Sequence, residues 1–160
     1  MNPRIVELDP KLLVGMNLNM SLANNKTQEL FSSFMPLRKT IEHATSTDVF
    51  EVMIYDQMYF QGFDPSKTFV KWAAIEVSNN ETPPTGMTSL ELEDGLYAVF
   101  NYKGIAKDFG ELMRRIFMEW FPSSTYELDH RAHFNVLGDT YKRNDPSSEE
   151  EVWIPIRVKD

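Results

Sequence analysis

Residues 49–52 read VFEV, and residues 133–136 read HFNV. Each is a short bulky run with one polar residue at its third position, as in a strand whose two faces differ. Three more pairs flank them in the same order. LDPKLLVG at 8–15 echoes LEDGLYAV at 92–99, TQELFSSFM at 27–35 echoes FGELMRRIF at 109–117, and KWAAIEV at 71–77 echoes VWIPIRV at 152–158. The echoes recur at a spacing of about 81 to 84 residues. Four matches in one order predict an internal duplication within one domain, 1–160: repeat one at 1–78, a linker at 79–86 and repeat two at 87–160.

Each repeat reads strand, helix, strand, strand. In the first, Arg4–Leu8 and Leu12–Leu18 are extended, and Asn24 or Asn25 is placed to cap a helix. Leu30, Phe31, Phe34, Leu37 and Ile41 carry that helix's apolar spacing, which Pro36 ends or kinks near Met35. Val49–Tyr55 and Phe69–Val77 are β-rich. In the second repeat, Ser89–Glu91 and Leu96–Asn101 are strands. Asp108 caps a helix with Phe109, Leu112, Met113, Ile116, Phe117 and Trp120 on its apolar face, and Pro122 stops it. His133–Leu137 and Val152–Val158 close the half around a polar excursion, TYKRNDPSSEEE. Antiparallel strands with one helix per half predict an α+β fold of duplicated β-α-β-β units with pseudo-twofold symmetry. Both helices are expected on one face of the sheet and a ligand groove on the other. Alternation sends Phe50, Val52, Ile54, Phe134 and Val136 to the helices, and Val152, Ile154 and Ile156 to the core, with Glu151, Trp153 and Pro155 opposite. It leaves Glu51, Tyr55 and Asn135 in the groove with Trp72 and Trp153.

The chain has 160 residues, 42% hydrophobic and 25% charged, and no cysteine. That composition is globular, and it excludes disulfides, thiolate metal sites and cysteine nucleophiles. No run approaches a membrane span, and the N-terminus lacks the apolar core of a signal peptide. A cytoplasmic location with no membrane partner is expected. The net charge of −8, without a basic stripe, argues against direct nucleic-acid binding. His43, His130 and His133 lack metal-ligand spacing, and no phosphate- or cofactor-binding motif is present, so neither a metal nor a cofactor is expected.

GLYAVFNYKG at 95–104, the helix ending MEWFPSSTYELD, AHFNVL at 132–137 and EEEVWIPIRV at 149–158 resemble the GyrI-like effector-binding domain, the ligand-sensing part of AraC- and MerR-type bacterial regulators. FDPSKTFVKWAAIEV at 63–77 looks like its first-half counterpart in stand-alone members. The resemblance runs from about Ile5 to Val158. It implies a central groove that accepts hydrophobic, often cationic, aromatic compounds. The family commonly places a groove carboxylate in a Phe-Glu pattern; the matching position here is Asn135, while the pseudo-symmetric Glu51 keeps the acid. Glu151 matches an acid in the family's final strand.

The expected function is binding or sensing of an apolar or aromatic small molecule, with Glu51 or Glu151 balancing any positive charge on it. Trp72 and Trp153 are candidate aromatic walls. Tyr55 and Tyr97 can orient a ligand or give a proton, and Asn135 can both donate and accept. Two other readings follow from the resemblance: a gyrase-inhibitor-like module with a protein partner, and a hydrolase of small reactive compounds using a groove Glu with a Tyr.

Overall fold

The computed structural model describes residues 2–79, 82–142 and 145–160. Two residues of the expected linker, 80 and 81, and two of the polar excursion, 143 and 144, lie outside the described residues. The first half contains β1 (Arg4–Leu8), β2 (Lys11–Ser21), α1 (Thr27–Phe34), β3 (Val49–Ile54) and β4 (Thr68–Val77). The second contains β5 (Thr88–Leu92), β6 (Gly95–Lys103), α2 (Phe109–Arg115), β7 (Tyr126–Leu128), β8 (His133–Leu137) and β9 (Glu149–Val158).

The helix boundaries follow local chemistry. Asn25 Oδ1 accepts from the Thr27 backbone N–H (2.9 Å), meeting one of the donors that the first turn of α1 leaves open. Pro36 cannot continue the α-helical ladder, and a tighter helical stretch, Met35–Thr40, replaces it. Asp108 precedes α2 as expected, but its side chain makes no capping hydrogen bond. After Arg115, α2 widens into a π-type turn, Ile116–Trp120, then closes with one turn, Phe121–Ser123. Pro122 lies inside that last turn.

All ladders are antiparallel, and the strand order is β1-β6-β9-β8-β3-β4-β2-β5, with β7 added to β9. Exchanging each strand for its counterpart in the other half (β1 with β5, β2 with β6, β3 with β8, β4 with β9) reverses this order and leaves it unchanged. The register obeys the same exchange: Leu8 pairs with Gly95 and Lys11 with Leu92; Arg4 pairs with Val99 and Gly15 with Thr88. The axis runs between β3 and β8, through the opposed residues Glu51 and Asn135.

The ladders also move one echo. Glu51 pairs with Ala73, whereas its counterpart Asn135 pairs with Val152. Ala73 and Val152 are therefore equivalent, so the counterpart of Trp72 is Glu151 and that of Trp153 is Ala74. The match of KWAAIEV with VWIPIRV is two residues out of register. An even slip preserves the face, and the two tryptophans do share one.

β1 and β5 form opposite edges, yet only Asp9–Pro10 joins β1 to β2, and only Glu93–Asp94 joins β5 to β6. Eight paired strands laid flat span about 34 Å. Three Cα steps reach about 11 Å. The sheet must roll so that its edges meet at this end. The interior of the roll is one apolar cluster with Leu8, Leu13, Phe50, Val52, Trp72, Leu92, Tyr97 and Phe134. The outer face carries α1 over Met20, Phe69, Ala73 and Val77, and α2 over Ala98, Phe100, Val152, Ile154 and Ile156. All six residues expected on the apolar face of α2 pack in that last cluster.

Candidate functional site

The helices centre on the outer strands of this sheet face, and the β3–β8 pair runs between them, its ends Met53 and Leu137 packed into the α1 cluster. Glu51 lies at the centre of this strip. Asn135 Nδ2 donates to Glu51 Oε1 (2.9 Å), and Lys71 Nζ lies 3.2 Å from Glu51 Oε2. Lys71 also donates to Thr27 Oγ1 at the start of α1 (2.9 Å). The Glu51 and Lys71 side chains are 15% and 13% exposed, so the pair is shielded more than a surface salt bridge. The Glu51 contact identifies Asn135 Nδ2 as the nitrogen. Asn135 is 4% exposed, and its Oδ1 has no hydrogen-bond partner among the described residues.

Aromatic rings lie beside this polar centre. Tyr55 packs against Tyr59 (4.5 Å between centroids), Phe60, Phe69 and the edge of His133. Phe60 stacks on His133 (5.4 Å, 23°) and on Phe117 (5.3 Å, 16°). Phe117 comes from the π-type turn of α2. The Lys67 ammonium holds the segment that carries Phe60, donating to the carbonyls of Met58, Tyr59, Gln61 and Gly62 at 3.1–3.2 Å. Burial pushes His133 down to about 3, with His130 and Arg131 adding to the effect, so its ring is neutral near pH 7. Burial raises the Tyr55 hydroxyl well above its usual range, with Tyr59 and Glu51 adding to it.

Glu150 was not singled out in the sequence. Burial, with Glu51 adding to it and Lys71 opposing, raises its carboxyl to about 7. It borders a cavity of about 350 Å³ with Asp48, Asn101, Val136, Gly138, Thr140, Glu149 and Glu151. A second hollow of about 240 Å³, near Ile41, Val77 and Pro83, holds none of the candidate residues.

The expected site residues therefore divide. Glu51, Tyr55 and Asn135 gather on the helix-bearing face. Trp72, Tyr97 and Trp153 lie inside the roll, where Trp153 stacks on Phe134 (5.1 Å, 18°) and Tyr97 is fully buried. The Tyr97 hydroxyl donates to the Ala132 carbonyl (2.7 Å), Arg131 lies 4.7 Å above its ring, and burial raises it to about 12. Glu151 accepts from Arg4 (2.7 Å) and from Trp153 Nε1 (3.1 Å).

This corrects the expected facing of β3 and β8. Phe50, Val52 and Phe134 turn into the roll, while Met53 and Leu137 lie under α1. Both faces of these strands are buried, so an apolar row does not tell which one the helices cover. For β9 the expectation held: Val152, Ile154 and Ile156 lie under α2, opposite Trp153.

The duplicated antiparallel sheet with both helices on one face is a fold that known proteins share. A family model, the GyrI-like small molecule binding domain, matches residues 1–157, and the chain belongs to that family. Transcriptional regulator BrlR of Pseudomonas aeruginosa is 26% identical over 157 residues, which cover 98% of this chain and 56% of that protein. The chain thus spans just over half the length of this relative. Among solved structures, SAV2435 bound to tetraphenylphosphonium is similar with a TM-score of 0.71 at 13% identity, covering 98% of this chain and 94% of that one. The C-terminal domain of EcmrR is similar with a TM-score of 0.71 at 10% identity, covering 99% and 98%.

Proposed function

We propose that this chain binds, and in a sensing role reports, a small aromatic molecule on the strip between its two helices. One observation carries the reading: Phe60, 40% exposed, stacks on both His133 and Phe117, beside the polar centre of the sheet. A flat ligand that replaces this ring gains two aromatic faces, with stacking on the order of 0.5–1.5 kcal/mol per face beyond area burial. The family membership and the ligand-bound relative support a small molecule as the partner.

Titration with the fluorescent tricycle acridone tests this reading. Saturable one-to-one binding is expected. Phe60→Ala, which removes the occupying ring, should tighten it, and Phe117→Ala should weaken it. Non-saturating uptake, or binding indifferent to both substitutions, would show that the strip is not the site.

A further inference from the structure

The centre of the strip is electrically closed. Both oxygens of Glu51 have partners, Asn135 Nδ2 on one and Lys71 Nζ on the other, and Lys71 is tied to α1 through Thr27. We infer that Lys71 is a resident counter-cation that makes this site select neutral aromatic ligands bearing an N–H or O–H donor over permanent cations. The inference rests on the strip being the binding site and adds the chemical class of its ligand.

A permanent cation gains attraction from a carboxylate only if that carboxylate is free. Here it must approach an existing ammonium in a partly dry environment, or displace it and leave a shielded ammonium unpaired. Glu151, the other expected anchor, is likewise occupied, by Arg4 and the Trp153 indole. The group left wanting is an acceptor. Asn135 Oδ1 is buried and unpartnered, on the same face of β8 as His133 and two residues along. A neutral donor on a ring stacked against His133 supplies that hydrogen bond and brings no charge to Lys71.

Three tricycles of one shape separate charge from donor: acridone (neutral, N–H), N-methylacridone (neutral, no donor) and N-methylacridinium (permanent cation). Titrations are run at about pH 6, below the value of Glu150, so that its carboxyl is mostly protonated. The wild-type protein should bind acridone about tenfold more tightly than either methylated probe. Lys71→Met frees the Glu51 carboxylate, and the preference should turn to N-methylacridinium. The double variant Glu51→Gln with Lys71→Met, which leaves no unpaired charge, should keep the preference for neutral probes.

Saturable binding with N-methylacridinium equal to or better than acridone in the wild type overturns the inference alone, as does a preference that Lys71→Met leaves unchanged. Absence of binding by all three probes overturns the site reading as well. The wild-type comparison decides the question even if a variant fails to fold.

Discussion

Glu51 and Asn135 stand opposite each other across the β3–β8 ladder, joined by a 2.9 Å hydrogen bond, and each is the other's counterpart in the duplication. The axis thus passes between an acid and an amide. Two identical carboxylates there would face each other on one side of the sheet, where like charges directly opposite are unfavourable. Asparagine converts that repulsion into a donor–acceptor pair.

Asn135→Asp should therefore create a coupled carboxyl pair that holds one proton well above the ordinary carboxylate range. A raised folded-state value means stability that is present in acid and lost as pH rises through it. Urea midpoints between about pH 4 and pH 8 should fall with rising pH in this variant, relative to wild type. A parallel pH profile would refute the opposed placement.

The Glu51–Lys71 pair is shielded, so breaking it from one side strands a charge. Lys71→Met alone should cost about 2–3 kcal/mol, and Glu51→Gln with Lys71→Met clearly less. A double-mutant cycle by chemical denaturation should give a coupling of about 1–3 kcal/mol. Additive losses would mean that the two charges do not interact.

Glu150 and His133 should slope the pH profile in opposite directions. Glu150 moves from an ordinary value of 4.5 to about 7, so its contribution to stability is present below 4.5 and lost as pH rises towards 7. His133 moves from 6.5 to about 3, so its contribution is present above 6.5 and lost as pH falls towards 3. Glu150→Gln should flatten the neutral limb, and His133→Phe the acid limb, each by about 1–3 kcal/mol at the ends of its window. Differential calorimetry across about pH 4–8 would check both limbs.

Two glycines should respond oppositely to alanine. A Cβ on Gly15 would lie 2.0 Å from the Ala73 carbonyl oxygen and 2.6 Å from Ala74 Cα, both backbone atoms of the adjoining strand. Gly15→Ala must separate β2 from β4 and should cost at least about 3 kcal/mol. Gly110, on α2, has open space where its Cβ would sit. Gly110→Ala should stabilise by about 0.5–1 kcal/mol, read as a higher melting temperature.

Trp72 offers a check on the division of the site. It is 8% exposed and packs inside the roll, away from the strip. Trp72→Phe should lower stability by about 1–3 kcal/mol through lost packing. It should leave acridone affinity within about twofold. A large loss of affinity with little change in stability would return Trp72 to the ligand.

Element order was legible because each helix and strand carries its own periodicity and stop signals: Pro36, the Asn25 side chain that accepts from Thr27 just before the N-cap Lys26, and the apolar row from Phe109 to Trp120 all act locally. The duplication was legible because four short matches kept their order. The facing of β3 and β8 was not, since Phe50 and Met53 are both buried, on opposite sides. The partners of Glu51 and Glu151 were equally hidden. Lys71 and Arg4 reach them across ladders whose register no single strand records, and the register had slipped by two residues at the match of KWAAIEV with VWIPIRV. Phe60 carried no signal, since its stacking on His133 depends on how a loop folds back over the sheet.

The two short links at Asp9–Pro10 and Glu93–Asp94 have a consequence for how the chain assembles. Each carries the opening strand of one half to the far border of the other, so β1 completes the second half and β5 the first. Neither half by itself has its full set of hydrogen-bonded neighbours. The molecule is a strand-swapped dimer held within a single polypeptide. Its folding must wait for partners some ninety residues apart, the kind of long-range closure that slows folding. A fragment holding only one half would find its missing border in a second copy of itself.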